Sequence, residues 1–458
     1  MTAQAHEGPA TATATGGPDL ALRAGIAHCL EEPLADDCSS GSTDDAAPPR
    51  GMQYLEDGLL LVRNGHIAAC GNASDLLPAL DPALPVHDYR GKLIVPGFVD
   101  AHIHYPQTDM IASPGEQLIG WLNRYTFPAE ARFGDIQHAR EVAQFFLDEL
   151  LRQGTTAALV FATVHPQSVD AIFEAAHARG LCLGAGKVLM DRHCPESVRD
   201  TPESGYQDSK ALLERWHGKG RLRYAITPRF APTSSHDQLT RAGDLAREFP
   251  DAYVHSHLAE NLDEVAWVQS LFPACRSYLD VYDRYGLLRE RAVYAHCLEL
   301  DAQDRDRMAE SGASIAFCPT SNLFLGNGMF DLEAAAGIPV ALATDVGGGT
   351  SFGLLQTAAE GYKVLRQRGQ TISAWRMLYL LTLGGARALH LHQEIGNFET
   401  GKAADLVVLD PRATPLLERR TDRADTLHEL LFALIMLGDD RAVYATYLKG
   451  EQAQTRAN

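Results

Sequence analysis

The segment PGFVDAHIHYPQ, residues 96–107, carries two histidines, His102 and His104, separated by a single residue. On a β-strand, side chains two positions apart point to the same face, so both imidazoles could bind one ion. The preceding apolar run LIVPGFV is typical of a buried parallel strand and places the histidines at its carboxyl end. Such a pair can also make ordinary hydrogen bonds, so it does not define a metal site alone.

Other polar side chains that could do chemistry follow later apolar runs in the same way. In a barrel of parallel strands, catalytic groups collect at the carboxyl ends of the strands, because the loops there wall a cavity. These residues are Arg229 and Phe230 after the fourth run, His257 and Glu260 after the fifth, His296 after the sixth and Asp345 after the eighth.

Three of these imidazoles and one carboxylate together predict a metal site. Taken singly, a strand-end histidine is more often structural and Asp345 could cap a helix, but their joint occurrence at several strand ends favours metal binding. Such a ligand set suits Zn²⁺, with Fe²⁺ as an alternative, and leaves a coordination position open for water. We predict one ion per chain, held by His102, His104, His257 and Asp345.

Two further residues bear on the chemistry of this site. Glu260 lies three residues beyond His257, close enough to reach a metal-activated water, which predicts that it moves protons between water and substrate. Lys187 in GAGKVLMD could be a modified lysine that bridges two metals. It lies on the third run, whereas the fourth offers Arg229, so we predict a single metal and interpret Lys187 as a buried ion pair or a side chain that reaches solvent.

The elements that must position these residues are eight short apolar runs separated by helix-like stretches such as DIQHAREVAQFFLDELLRQG. This alternation predicts a (β/α)8 TIM-type barrel in an α/β protein. The runs are LIVPGFVDAHIH (93–104), TTAALVFATV (155–164), LCLGAGKVLMD (181–191), LRYAITPRF (222–230), AYVHSHLAE (252–260), AVYAHCLEL (292–300), ASIAFCPTS (313–321) and IPVALATDV (338–346).

Strand-like segments outside the barrel predict a second, smaller unit. ALRAGIAHCL and GLLLVRNGHIAACG, with RNGH as a hairpin turn, precede the barrel, and GKAADLVVLD and VYATYLKG follow it. We expect them to pair in a small β-sandwich domain. The predicted division is a flexible tail (1–20), the amino-terminal part of the small domain (21–92), the barrel (93–393) and the carboxyl-terminal part (394–458).

Composition limits the classes of partner. The 458 residues carry a net charge of −19, which argues against nucleic acid or an anionic membrane surface. Eight cysteines without a CxxC pair predict reduced thiols and a cytoplasmic protein, and residues 1–18 lack the features of a secretory signal. The apolar run 430–437 is too short to span a bilayer, and the acidic stretch 31–50 is interpreted as a mobile surface insertion without an assigned function.

The motifs PGFVDAHIH, HSHLAEN, AHC and LATD, in this order, resemble the amidohydrolase superfamily of metal-dependent hydrolases on a (β/α)8 barrel. The resemblance runs from about residue 55 onward. Within the superfamily, WLNRYTFPAEARF (121–133), TPRFAPTSS and CPTSNLFLGNG are similar to the guanine deaminase family. His255 creates a second HxH pair with His257. We assign His257 as the ligand because Glu260 follows it at the family's spacing, and expect His255 one layer deeper in the barrel.

This resemblance implies hydrolytic deamination of guanine to xanthine and ammonia, in purine catabolism or salvage, by a homodimeric zinc enzyme. Glu260 would protonate a ring nitrogen and then the leaving amine, Asp345 would bind metal and help to deprotonate water, and His296 would hydrogen-bond the nucleophile. Arg229 would donate to the exocyclic oxygen of the purine and Gln107 would both donate and accept, while Phe230 would wall the ring.

Two alternatives remain open from the residues. One is another deaminase or hydrolase of the same superfamily that acts on a pterin, a triazine or a different purine. The other is a non-catalytic scaffold with this fold, which would be expected to have lost ligands. The PCxxC element of cytidine-deaminase zinc sites is absent from the sequence, which excludes that architecture.

Overall fold

The computed structural model describes residues 17–33, 48–115 and 118–456. Residues 1–16 of the predicted tail and residues 34–47 of the acidic stretch lie outside this description. The strands are β1 (Leu20–Cys29), β2 (Met52–Arg63), β3 (His66–Asn72), β4 (Val86–Pro96), β5 (Phe98–His104), β6 (Thr155–Phe161), β7 (Cys182–Gly186), β8 (Val188–Leu189), β9 (Leu222–Pro228), β10 (Tyr253–Leu258), β11 (Ala292–His296), β12 (Ser314–Phe317), β13 (Val340–Leu342), β14 (Leu406–Leu409), β15 (Val443–Leu448) and β16 (Glu451–Thr455).

One short helix, α1, lies between β3 and β4, and the other helices follow β5, where most alternate with the strands. They are α1 (Ala73–Leu76), α2 (Leu118–Trp121), α3 (Phe127–Ala131), α4 (Ile136–Arg152), α5 (Pro166–Arg179), α6 (Pro202–Trp216), α7 (His236–Glu248), α8 (Leu262–Leu271), α9 (Tyr278–Arg284), α10 (Ala302–Ser311), α11 (Pro319–Phe324), α12 (Leu354–Gln367), α13 (Ala374–Leu381), α14 (Leu383–Ala388), α15 (Pro415–Thr421) and α16 (Leu427–Leu437). None of these helices has the length and hydropathy needed to cross a bilayer.

The predicted barrel is confirmed. Its parallel strands follow the order β5, β6, β7, β9, β10, β11, β12 and β13, and the short β8 pairs with β9. The two ends of this path meet where the Asp345 amide donates to the His102 carbonyl at 2.9 Å and the His104 amide donates to the Val346 carbonyl at 2.9 Å. The first and eighth strands are therefore joined at the rim where the predicted ligands lie.

The interior of the barrel is filled by small side chains. Ala157, Ala225, Ala295 and Ala316 belong to one fully buried cluster. Their sequence neighbours, such as Ala158, belong to the larger cluster that contains the surrounding helices. This alternation is the period-2 pattern of strands that are buried on both faces.

The helices cover the outside through amphipathic faces, of which α4 is an example. Asp135 caps its first turn by accepting a hydrogen bond from the Gln137 amide at 2.8 Å. Val142, Phe146 and Leu150 recur every four residues and are buried on one side. The side-chain cap and this spacing explain why the stretch predicted as helical forms one.

The amino- and carboxyl-terminal strands form a separate seven-stranded sheet in the order β16, β15, β14, β4, β1, β2 and β3. The carboxyl-terminal strands therefore pair with the amino-terminal ones, as predicted. The predicted RNGH hairpin turn joins β2 to β3, with Asn64 at φ 49° and Gly65 at φ 76°. Positive φ at both central residues is the geometry of a tight hairpin turn.

One predicted strand is divided in the structure. The run 93–104 was expected to be continuous, but Gly97 separates β4, which pairs with β14 in the smaller sheet, from β5 in the barrel. A Cβ atom at Gly97 would lie 2.0 Å from Oγ1 of Thr156, so only glycine fits at this position. One apolar run thus supplies strands to both sheets.

Candidate metal centre and active site

The barrel brings the four predicted metal ligands together at the carboxyl ends of its strands. Nε2 of His102 lies 3.1 Å from Nε2 of His104, which lies 3.3 Å from Nε2 of His257. Oδ1 of Asp345 lies 3.1 Å from Nε2 of His102 and 3.3 Å from Nε2 of His104. Four potential metal-ligand atoms thus lie close together, although they come from the ends of three separate strands.

This spacing fits a tetrahedral divalent ion. Metal–ligand bonds of about 2.0–2.1 Å in a tetrahedron place the ligand atoms roughly 3.3–3.4 Å apart. Burial lowers the pKa of His102, lowers that of His104 to about 3 and holds that of His257 well below its usual value, so the imidazoles are neutral. Burial alone would raise the pKa of Asp345, but the adjacent His102 and His104 outweigh it, and the group is ionised. Neutral imidazoles and a carboxylate are the forms that bind metal.

Hydrogen bonds at Nδ1 orient two of these histidines toward the candidate metal centre. Nδ1 of His257 lies 2.6 Å from the Arg229 carbonyl, to which it donates, so Nε2 is left as the free acceptor. Nδ1 of His102 lies 2.8 Å from Nε2 of His255. The structure therefore places His255 behind a ligand rather than among the ligands. Within the described residues, Nδ1 of His104 is buried without such a partner.

Asp100 is a buried residue of the site that sequence reasoning missed. Its Oδ1 accepts hydrogen bonds from the backbone amides of His102 at 3.2 Å and Thr344 at 3.1 Å. It therefore links the first strand to the segment that carries Asp345. Burial raises the pKa of Asp100 to about 7. A signal was present, because Asp100 lies two residues before His102 and shares its strand face.

Glu260 and His296 face each other beside the metal ligands. Oε2 of Glu260 lies 3.4 Å from Nε2 of His296, which is 3.8 Å from Oδ2 of Asp345. Burial and the charge of Asp345 raise the pKa of Glu260 to about 8. A carboxyl group with a pKa near neutrality can both donate and accept a proton.

Two asparagines hold this pair in place, and sequence reasoning did not single them out. Nδ2 of Asn327 donates to Oε1 of Glu260 at 2.6 Å, and Nδ1 of His296 lies 2.8 Å from Oδ1 of Asn322. Both belong to CPTSNLFLGNG, the segment quoted for the family resemblance, but the motif alone does not say what they contact.

The backbone is strained where two of these side chains enter the site. His296 has φ 72° and Asp345 has φ 49°, in the left-handed region that non-glycine residues seldom adopt. Residues in such conformations persist where the surrounding structure holds them, and they concentrate at functional sites.

A cavity opens beside three of the metal-ligand side chains, His104, His257 and Asp345. Polar and apolar side chains share its walls about equally, and in small-molecule sites such polar groups fix the orientation of the ligand. It is lined by His104, Gln107, Leu118, Trp121, Leu122, Arg229, Phe230, His257, Glu260, His296, Leu325, Asp345 and Gly348.

Two further polar side chains that line this cavity, Arg229 and Gln107, belong to an ion-pair network. Nη1 of Arg229 donates to Oε1 and Oε2 of Glu130 at 2.9 and 2.7 Å. Nε2 of Gln107 donates to Oε1 of Glu130 at 3.2 Å, and Oε1 of Gln107 accepts from the Gly347 amide at 3.1 Å. Glu130 lies in the TFPAE segment, yet sequence reasoning gave it no role.

Lys187 lies apart from this centre. It is 1% exposed, and its Nζ donates to Asp200 and, at 3.3 Å, to the Val188 carbonyl. This is the buried ion pair that the sequence left open, and the partner Asp200 belongs to neither cluster of potential metal ligands in the described residues.

A (β/α)8 barrel with three histidines and an aspartate at its strand ends defines a class of metal-dependent hydrolases. The model of the amidohydrolase family matches residues 93–453, and the chain belongs to that family. It is 53% identical to a guanine deaminase of Escherichia coli (strain K12) over 407 residues, which are 88% of this chain and 93% of that protein.

Solved structures agree with this assignment. The E. coli guanine deaminase structure superposes with a TM-score of 0.91 at 49% identity, covering 96% of this chain and 100% of the other. A guanine deaminase from C. acetobutylicum, with guanine bound in its active site, superposes with a TM-score of 0.83 at 27% identity over 95% of this chain and 100% of that chain.

Proposed function

We propose that this protein hydrolyses guanine to xanthine and ammonia and binds one Zn²⁺ per chain. One observation carries the proposal: a single cavity is lined by three of the four metal-ligand side chains, by Glu260 and by the hydrogen-bond donors of Arg229 and Gln107. The similarity to guanine deaminases over most of the chain supports the same substrate.

Metal binding supplies the nucleophile. A divalent ion held by His102, His104, His257 and Asp345 would lower the pKa of a water molecule and make it reactive at neutral pH. Oδ1 of Asp345 faces the imidazole nitrogens, whereas Oδ2 faces His296 and is placed to accept a proton from the attacking water. Because Nδ1 of His296 donates to Asn322, its Nε2 keeps a lone pair that can accept a hydrogen bond from that water.

Glu260 moves the protons. Asn327 occupies Oε1, so Oε2 is the oxygen left to face the cavity. With a pKa raised to about 8, the carboxyl group is largely protonated at neutral pH and can protonate the ring nitrogen next to the attacked carbon. As the carbon–oxygen bond forms and the carbon–nitrogen bond breaks, the proton taken from water goes to the leaving amine. The hydroxyl group added to the carbon then returns a proton to Glu260, so that guanine and water give xanthine and ammonia.

Arg229, Gln107 and Phe230 orient the purine. The guanidinium of Arg229 and the amide of Gln107 are placed to donate to acceptors on the ring, above all the exocyclic oxygen. Phe230 is 5% exposed and lines the cavity as a flat wall against which an aromatic ring can pack.

The location and assembly state proposed for this enzyme are the cytoplasm and a homodimer. The seven cysteines of the described residues are free, which supports a reducing compartment. The family resemblance supports the dimer, and light scattering of the purified protein tests it.

Substrate turnover tests the proposal directly. Purified protein is incubated with guanine, adenine, cytosine and a pterin, products are followed as xanthine and ammonia, and metal is quantified on the same sample. Turnover of guanine alone with about one metal per chain is expected. Turnover of another amino-heterocycle with guanine left intact would contradict the proposed substrate, and full activity without metal would contradict the proposed chemistry.

A further inference from the structure

Glu130 is a completely buried carboxylate, 0% exposed, that contacts two cavity-lining side chains. It pairs with Arg229 through both carboxylate oxygens and accepts a hydrogen bond from Gln107. A buried carboxylate is costly unless its charge is balanced, and Arg229, at 3% exposure, is the balancing charge. Glu130 itself does not line the cavity, so it can act on a ligand only through these two neighbours.

The ion pair with Glu130 uses only some of the hydrogen-bond donors of the Arg229 guanidinium. Among the side-chain nitrogens of Arg229, only Nη1 makes hydrogen bonds within the described residues, both to Glu130. Its Cζ lies 5.3 Å from the centre of the Phe127 ring, which belongs to the same helix as Glu130. Helix α3 therefore supplies both a counter-ion and an aromatic face that hold the guanidinium, and leaves the Nη2 and Nε donors for a ligand.

The same carboxylate determines which way the Gln107 amide points. The carbonyl oxygen of Gln107 accepts from the Gly347 amide, and its NH2 group donates to Glu130. A flipped amide would place its oxygen against a carboxylate and its NH2 against another N–H donor, so both contacts would become repulsive. Gln107 lines the cavity, and the second N–H of its NH2 group has no partner within the described residues.

We propose that Glu130 is a positioning residue that makes this side of the cavity a donor-only surface and thereby selects purines with an exocyclic oxygen. An oxygen accepts hydrogen bonds from Arg229 and Gln107, whereas an exocyclic amino group in the same place presents its own N–H groups to them and leaves buried donors unpaired. The inference rests on the proposed function, because it names the feature by which that site distinguishes its purine.

The test compares two ligands that differ only in this group. Hypoxanthine carries the exocyclic oxygen and adenine carries an amino group in its place, and neither has the amine that the proposed reaction removes. Binding of each to the metal-loaded protein is measured by calorimetry for the wild type and for Glu130→Gln. Wild type is expected to prefer hypoxanthine. Glu130→Gln is expected to bind hypoxanthine about 10- to 100-fold more weakly, because the exocyclic oxygen of hypoxanthine accepts the charged hydrogen bonds that Glu130 positions. Adenine has no such acceptor, so its binding should weaken less than about 3-fold.

Controls separate positioning from general damage. Glu174→Gln removes a carboxylate that pairs with Arg140 on the surface, where the two side chains are 45% and 49% exposed, and should change neither affinity. Metal content should be unchanged in all variants. If Glu130→Gln does not fold, Glu130→Asp retains the charge, withdraws the carboxylate by one methylene and should show the same selective loss.

The outcomes distinguish this inference from the proposed function. If the wild type turns over guanine and prefers hypoxanthine, but the Glu130 variant loses both ligands equally or neither, the positioning role is wrong and the proposed function stands. If the wild type binds neither purine and does not turn over guanine, both are wrong. A loss confined to hypoxanthine supports the inference.

Discussion

Nε2 of His102 and Nε2 of His104 lie 3.1 Å apart, with the two rings nearly perpendicular at 85°. Burial keeps both imidazoles neutral, and the Nδ1 of His102 is occupied by His255. The two nitrogens can share one proton in a hydrogen bond or bind one cation together, and Oδ1 of Asp345 beside both of them favours a cation.

His102→Ala should remove metal and activity together while the barrel stays folded. The substitution deletes one of four ligand atoms and also leaves His255 without its partner. Metal per chain, measured by emission spectroscopy, should fall from about one to well below half, since disturbing a metal site commonly costs 10- to 100-fold or more in affinity. His66→Ala, at an exposed histidine of the β2–β3 hairpin, is the control and should keep both. Retention of both by His102→Ala would contradict the ligand assignment.

Removal of the metal should lower the melting temperature. An ion that binds only the folded protein stabilises it by about 2.7 kcal/mol at one hundred times its dissociation constant. Dialysis against a chelator is expected to lower the midpoint of thermal unfolding, and added Zn²⁺ should restore it. The same treatment of His102→Ala serves as the control, because this variant has little metal to lose. An identical midpoint with and without metal would argue against a bound ion.

Glu260→Gln should retain metal and lose activity. The amide cannot move a proton but has nearly the same shape, and general acid–base catalysis contributes about 100- to 10,000-fold. We expect kcat for guanine to fall by that factor while metal content and melting temperature change little. A variant with near-normal kcat would show that another group moves the proton.

Asn327→Ala should reduce kcat more than it changes KM. The asparagine donates to Oε1 of Glu260 and so determines which oxygen faces the cavity, without lining the cavity itself. Loss of this hydrogen bond is expected to lower kcat by roughly 10-fold. Asn72→Ala, at an exposed asparagine after β3, is the matched control. An increase in KM alone would assign Asn327 to substrate binding instead.

Gly97→Ala should destabilise the protein without touching the active site. The added Cβ would meet the Thr156 side chain at 2.0 to 2.7 Å between the two sheets. Overpacking of this kind costs about 1–3 kcal/mol or more, which chemical denaturation measures. Gly134→Ala is the control, since its Cβ would meet nothing nearer than 3.6 Å. Equal stability of the two variants would contradict the close approach.

Much of the barrel could be predicted from sequence because its strands are buried on both faces. A strand covered by helices outside and by other side chains inside must be apolar throughout, so eight runs stand out between amphipathic helices. Polar residues at the ends of such runs all lie at the same rim of the barrel. His102, His257 and Asp345 could therefore be grouped before any distance was known.

The sequence did not reveal the division at Gly97, because the chain is buried on both sides of this residue. The last residues of β4 and the first residues of β5 are apolar and buried, so no change in polarity marks where one sheet ends and the other begins. The break depends on Thr156, a residue far along the chain that leaves no room for a side chain at Gly97. Close approaches of this kind belong to packing, which residue types alone do not specify.

The sequence by itself determined the kinds of chemical group at the site and the strand ends from which they come, because strand periodicity and motif order are local properties. Only the tertiary structure decided which groups share a hydrogen bond: Asn327 with Glu260, and Glu130 with Arg229. The partners in these pairs are 67 and 99 residues apart, and their contact exists only after the barrel closes. Hydrogen bonds are short and directional, so pairs across such separations follow from the completed packing.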